Sequence, residues 1–256
     1  MRDYKNMRIG ISSLIFNINE ALEICYKNKE INHIEIGIDN LSDCKELKRY
    51  EKDIKRLNIS VGIHLPMELN PCEDIMFIKE KWIDYISILS EELNFLNISY
   101  FNMHLGYVIT NRFIKNKKKY LNNIVDFFSK LSLENKHLLI TIENTYTKGG
   151  DFSNVGSSVE DFQYIFNHNE KLSFCFDSGH NLICRSNYKL LENKTKVIHI
   201  SDNGGIEDEH LGLLKGKLTI EDLKSILSLE PEFIVLEMGL NYVEESLNIL
   251  EKNYIK

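Results

Sequence analysis

Short apolar runs rich in Ile, Val and Phe alternate with longer amphipathic stretches along the whole chain. The runs predict strands at Arg8–Ser13, His33–Ile38, Ser60–His64, Tyr100–His104, Leu138–Glu143, Ser173–Asp177, Val197–Ser201 and Phe233–Glu237. Apolar residues at three- and four-residue spacing predict helices at Ile18–Lys27, Glu73–Asn94, Lys119–Leu131, Val159–Asn167, Ile220–Leu229 and Tyr242–Lys252. Strand starts recur every roughly 25 to 40 residues, room for a strand, a loop and a helix each time. The three prolines punctuate loops, and no Gly/Ser/Pro linker divides the chain. Eight uninterrupted units predict a single-domain α/β (β/α)8 TIM barrel over residues 1–256. A doubly wound open sheet is the alternative, but the first strand runs into Ser12-Ser13-Leu14 rather than a glycine-rich phosphate loop.

The 256 residues are 43% hydrophobic and 27% charged, an ordinary globular composition. No apolar run approaches the ~20 residues of a membrane span. The opening Met1-Arg2-Asp3-Tyr4-Lys5-Asn6 lacks an apolar export segment, so a cytoplasmic location is expected. Five cysteines form no C-x-x-C pair and are expected as free thiols. The formal net charge of −7 argues against bulk electrostatic attraction to nucleic acid.

In such barrels the reactive face lies at the C-terminal strand ends. There the sequence places His64, His104, Glu143, Asp177 with His180, His199 followed by Asp208 and His210, and Glu237. Singly, each has an ordinary structural use: a hydrogen-bonded histidine, a salt-bridged glutamate, an aspartate capping a helix. Together, imidazoles and carboxylates converging on one mouth form a donor set for divalent ions, which relieve the repulsion among the acids. His33, His137 and His168 fall elsewhere and are left out.

These residues sit in motifs that resemble the xylose isomerase-like barrel superfamily, which includes endonuclease IV and many sugar isomerases and epimerases. The motifs are Gly62-Ile63-His64-Leu65-Pro66, Met103-His104-Leu105-Gly106, Ile142-Glu143-Asn144-Thr145, Phe176-Asp177-Ser178-Gly179-His180, His199-Ile200-Ser201-Asp202, Asp208-Glu209-His210 and Leu236-Glu237. The resemblance to endonuclease IV implies two or three divalent ions, zinc first, with Mn, Fe, Co or Mg as alternatives. His64, His104 and Glu143 would hold one; Glu143, Asp177, His199 and Glu237 a second; His180, Asp208 and His210 a third. It implies a metal-dependent hydrolase of phosphodiester bonds in which a metal-bridging hydroxide attacks phosphorus, with Glu143, Glu237 and His180 as the catalytic residues. The sugar isomerases imply the alternative, one ion and a Glu143/Glu237 acid–base pair acting on a sugar or sugar phosphate.

The loops temper the choice of substrate. Met67-Glu68-Leu69-Asn70 puts a glutamate where a phosphate backbone would pass, the loop after the second strand has no arginine, and Ile34-Glu35-Ile36-Gly37 leans toward the isomerases. Asn144, and Lys215 and Lys217 flanking Gly216, are the expected substrate contacts. The basic run Lys115–Lys119 is placed beyond the fourth strand, as a phosphate contact or as a solvated helix start. The expected partner is a phosphorylated or sugar-containing small molecule or a nucleic acid, with no membrane and no protein partner. Cys175, Trp82 and Tyr85 read as packing residues.

Overall fold

The computed structural model describes residues 7–147 and 149–254; the first six residues, read above for an export segment, lie outside them. Eight parallel strands close on themselves: β1 Arg8–Leu14, β2 Ile31–Gly37, β3 Ser60–His64, β4 Ile98–Met103, β5 Ile140–Glu143, β6 Ser173–Asp177, β7 Thr195–Ile200 and β8 Phe233–Leu236. Pairing of Arg8–Ile11 with Phe233–Leu236 joins the first strand to the last, which excludes the open sheet. The helices are α1 Ile18–Lys27, α2 Leu41–Leu47, α3 Glu51–Leu57, α4 Met76–Glu92, α5 Thr110–Glu134, α6 Val159–His168, α7 Ser178–Ile183, α8 Ile220–Leu227 and α9 Val243–Tyr254. Among the described residues no helix is long and apolar enough to cross a membrane.

The pattern located six of these helices and overlooked α2, α3 and α7. Each of the three is six or seven residues long, too short to display a 3.6-residue period. The start of α5 was placed late for a different reason. Its first turns are exposed and polar, and Asn116 breaks the helix with φ −137° before the apolar face begins at Tyr120. The basic run therefore lies within α5, where Lys117 pairs with Asp161 and Lys119 with Asp74, both at 2.6 Å. Beyond β4 and β5, Tyr107–Ile109 and Phe152–Asn154 form an antiparallel ribbon over the reactive face.

Parallel strands buried on both sides require apolar residues outward, against the helices, and a filled interior. Ile34, Ile36, Ile63, Phe101, Ile142, Phe174, Phe176, Ile198 and Ile200 are all buried in the main core. The interior departs from the apolar expectation: Glu35, Asn102 and Thr141 are buried there, and His33 is fully buried beside Tyr100. Burial pushes the His33 imidazole from 6.5 down to about 3, so it stays neutral in the fold. A folded-state value below the unfolded one means stability is lost as pH falls through 6.5 toward 3. Metal-free His33→Asn is therefore expected to lose less stability than the parent between pH 6.5 and 4, by about 1 kcal/mol per pH unit. Urea melts at several pH values check this; parallel pH profiles would contradict it.

Candidate metal centre

Strand register sets the site. Asp177 lies beside His199, His64 beside Asn102 and Glu143 beside Cys175, so the ends of neighbouring strands present their side chains at one level. Among the described residues, three groups bring their ligand atoms within 4.8 Å of one another: His64, His104 and Glu143; Glu143, Asp177, His199 and Glu237; and Glu143, Cys175 and His199. Glu143 belongs to all three. The first two are the groups expected from the sequence. The third adds Cys175, which the same two-residue period that turns Asp177 inward also turns inward.

The expected trio of His180, Asp208 and His210 is not among these mutually close groups. Its members are joined through the aspartate, with Asp208 Oδ2 at 3.1 Å from His180 Nε2 and 3.2 Å from His210 Nε2. His210 adopts a left-handed backbone with φ 48°, a conformation that costs of order 1 kcal/mol and clusters at functional sites. The loop that carries it is pinned by Asp202, whose carboxylate accepts from the amides of Gly216 and Leu218 at 2.7 and 2.8 Å. A Cβ on Gly216 would stand 2.3 Å from the Asn203 carbonyl oxygen, so only glycine fits that turn.

Four of the five histidines present a definite nitrogen. Nδ1 of His64, His180 and His210 lies at 2.9, 2.8 and 3.0 Å from the carbonyl oxygens of Leu65, Asn144 and Glu237. A carbonyl only accepts, so these nitrogens each carry a proton, and Nε2 is the nitrogen turned toward the carboxylates of the mouth, Glu143 for His64 and Asp208 for His180 and His210. His199 is reversed. Its Nε2 lies at 2.9 Å from Oε1 of Glu35, a carboxylate only 2% exposed, and its Nδ1 faces Glu143 at 3.4 Å and Glu237 at 3.0 Å. Sequence reasoning noticed Glu35 only as part of a motif. Its signal was a glutamate alternating with isoleucines in a buried strand.

The donor set fits divalent ions. His199 Nδ1, Asp177 Oδ2, Asp208 Oδ1 and Glu237 Oε2 are buried and have no hydrogen-bond partner in the protein. Orphaned buried polar atoms are costly, and here they gather where the expected ligands meet. Asp177 divides its carboxylate: Oδ1 accepts from the His180 amide at the start of α7, while Oδ2 is the orphan. Glu143 accepts from the Asn102 amide, which Thr141 steadies at 2.8 Å.

Electrostatics follow from this crowding. Burial drives the Glu143 carboxyl upward, but His104, His199 and His180 outweigh it and hold the group well below the usual range. Burial dominates at Asp177 and pushes it well above. His64 is depressed by burial, yet hydrogen bonding and charge from Glu143 raise it to about 9. His104 is left at about 4 by burial.

The expected substrate contacts fare differently. Asn144 is fully buried and both ends of its amide are taken by the Asp177 backbone, at 2.7 and 2.9 Å. It ties β5 to β6, and both polar ends of its side chain are engaged there rather than turned to the mouth. Lys215 reaches Glu245 on α9 at 2.7 Å, and exposed Lys217 lies along Gly205. The mouth opens into a cavity of about 350 Å³ bounded by β1, β2, β3 and β8, whose lining includes Ser12, Ser13, Asn17, Asp39 and Met67 but, among the described residues, no lysine or arginine.

Closed barrel, strand-end histidines and buried carboxylates make a TIM barrel with a candidate metal centre at its mouth, similar to the xylose isomerase-like barrels. No family model matches the chain. An uncharacterized protein of Methanocaldococcus jannaschii is 26% identical over 235 residues, 86% of this chain and 88% of that protein. A protein named "Probable endonuclease 4" from Thermosipho melanesiensis is 27% identical over 177 residues, 59% of this chain and 60% of that protein. Apurinic-apyrimidinic endonuclease 1 of Plasmodium falciparum is 25% identical over 210 residues, 72% of this chain but only 34% of that protein's length. Among solved structures, a D-tagatose 3-epimerase-like protein superposes with a TM-score of 0.81 at 22% identity, over 96% of this chain and 97% of that one. An IolI protein with a zinc atom gives 0.75 at 18%, covering 97% of both chains. Endonuclease IV from Thermus thermophilus gives 0.67 at 18%, over 96% of this chain and 98% of that one.

Proposed function

We propose that the chain is a metal-dependent hydrolase of phosphodiester bonds that works with two or three divalent ions, zinc first among them. The observation that carries this reading is the seat of Glu143. One buried carboxylate faces His64 and His104 in one group and Asp177, His199 and Glu237 in another, the arrangement a pair of neighbouring ions requires. The endonuclease names among the sequence relatives support the same reading.

His64 and His104 would share the first ion with Glu143, and Asp177, His199 and Glu237 would hold the second. His180, Asp208 and His210 would hold a third. When bound, such ions supply Lewis acidity and an activated water for attack on phosphorus. Glu237, one-fifth exposed and with Oε2 at 3.0 Å from His199 Nδ1, meets the cavity and is placed to hold or move a proton at the substrate. Asn102 fixes the orientation of Glu143 from the neighbouring strand.

A second reading, a sugar or sugar-phosphate isomerase with Glu143 and Glu237 as its acid–base pair, has one observation in its favour. Among the described residues the cavity lining offers the Ser12 and Ser13 hydroxyls and the Asn17 amide but no lysine or arginine to meet a phosphate. The discriminating experiment counts metal per chain by elemental mass spectrometry, on protein purified without chelators, alongside two assays. Two or three ions per chain, with chelator-sensitive cleavage of an abasic-site duplex or a general phosphodiester, is the expected result. One ion per chain with solvent-deuterium uptake into a ketose overturns it in favour of the isomerase.

A further inference from the structure

The barrel interior carries a polar chain where apolar layers are the rule. It starts at Ser60, whose hydroxyl lies 2.8 Å from His33 Nδ1. His33 Nε2 lies 3.0 Å from the Tyr100 hydroxyl, and Tyr100 donates to Glu35 Oε2 at 2.6 Å. Glu35 then meets His199 Nε2 at 2.9 Å. The donors converge on Glu35 from both sides. A carboxylate accepts, so Tyr100 and His199 both donate to Glu35; the Tyr100 oxygen then takes the proton of neutral His33, whose other nitrogen accepts from Ser60.

Two glycines show that this chain is built into the fold. A Cβ on Gly62 would stand 2.5 Å from Tyr100 Cζ, and one on Gly10 would stand 2.6 Å from His33 Cδ2. The strands beside the two rings have given up their side chains to admit them. Buried carboxylates are expensive, and Glu35 has no evident use in closing the barrel. Besides Tyr100 it meets one imidazole, His199, at Nε2, and it reaches the edge of the mouth cavity.

We propose that Glu35 is a positioning residue for the second ion, and that Tyr100 acts through it. By holding the His199 proton on Nε2, Glu35 commits Nδ1 to the mouth as an unprotonated ligand and keeps the ring oriented. Tyr100, braced by His33, fixes the carboxylate in turn. The second metal position is thereby set from inside the barrel rather than from the loops. This assignment rests on the metal reading above.

The test uses the full chain stripped of metal and titrated with zinc alone against a chromophoric chelator. Glu35→Gln is expected to weaken the ion at the His199 position by about 10- to 100-fold, the usual effect of losing an outer-shell partner. The ion at His64 and His104 should be unchanged. Tyr100→Phe, nearly isosteric and lacking only the hydroxyl, is expected to weaken the same ion by about fivefold. The double variant should bind no more weakly than Glu35→Gln. Nitrogen NMR of the zinc-loaded protein reports the His199 proton on Nε2 in the parent and a loss of that commitment in Glu35→Gln, which a role confined to fold stability would not produce. If the parent binds zinc and both variants match it within about twofold, the positioning role is wrong while the metal centre stands. A parent that takes up no zinc overturns both.

Discussion

Glu143→Gln is expected to leave the barrel folded while reducing metal content to at most one ion per chain and lowering phosphodiester cleavage by at least about a thousandfold. The substitution preserves size and one accepting oxygen but removes the charge shared by the two ligand groups. Ion-based stabilisation of a transition state is worth several kcal/mol, and about 4 kcal/mol corresponds to roughly three orders of magnitude in rate. The fold should survive because Asn102 can still meet a side-chain amide oxygen, and Thr141 still steadies Asn102. Elemental analysis and cleavage assays on the same preparation check both halves. Full metal content with full activity would remove Glu143 from the centre of the reading.

Removing divalent ions should also cost much of the thermal stability. The mouth buries Glu143 and Asp177 with Glu237 close by, and four of its polar atoms have no protein partner. An ion present at a thousand times its dissociation constant adds about 4 kcal/mol. In a chain of this size each kcal/mol moves the melting temperature by about 2–4 °C, so each ion is worth roughly 8–16 °C. Asp177→Asn sharpens the experiment. Burial disfavours the charged form of Asp177 in the metal-free protein, so the uncharged asparagine should move the metal-free melting temperature little. The zinc-dependent rise, however, should shrink by the share of one ion, because asparagine cannot supply a carboxylate. Calorimetry with and without zinc reads both values; a variant that keeps the whole rise would take Asp177 out of the ligand set.

Much of the site was readable before the fold was known. Ser60–His64 and Ser173–Asp177 end where the apolar runs end, because a strand buried on both faces is written as a continuous apolar stretch. Once the strands were counted, the residues closing five of the eight, His64, His104, Glu143, Asp177 and Glu237, stood out as candidate ligands. Three features escaped. Asn144 looked like a substrate contact because it follows Glu143, but nothing local reveals that its amide is spent on the Asp177 backbone. Lys215 looked free until α9 brought Glu245 to it. Glu35 drew attention as part of a motif, without a role.

The order of strands and helices, and the chemistry gathered at the strand ends, follow from the sequence by itself. Both depend on periodicities that act over a few residues and survive without knowledge of neighbours. Which nitrogen of each histidine faces the mouth, and which carboxylate lies behind His199, were decided only by tertiary structure. Glu35 and His199 are 164 residues apart, on strands that do not pair in the sheet. They meet across the interior because the barrel closes, and no local pattern encodes that distance.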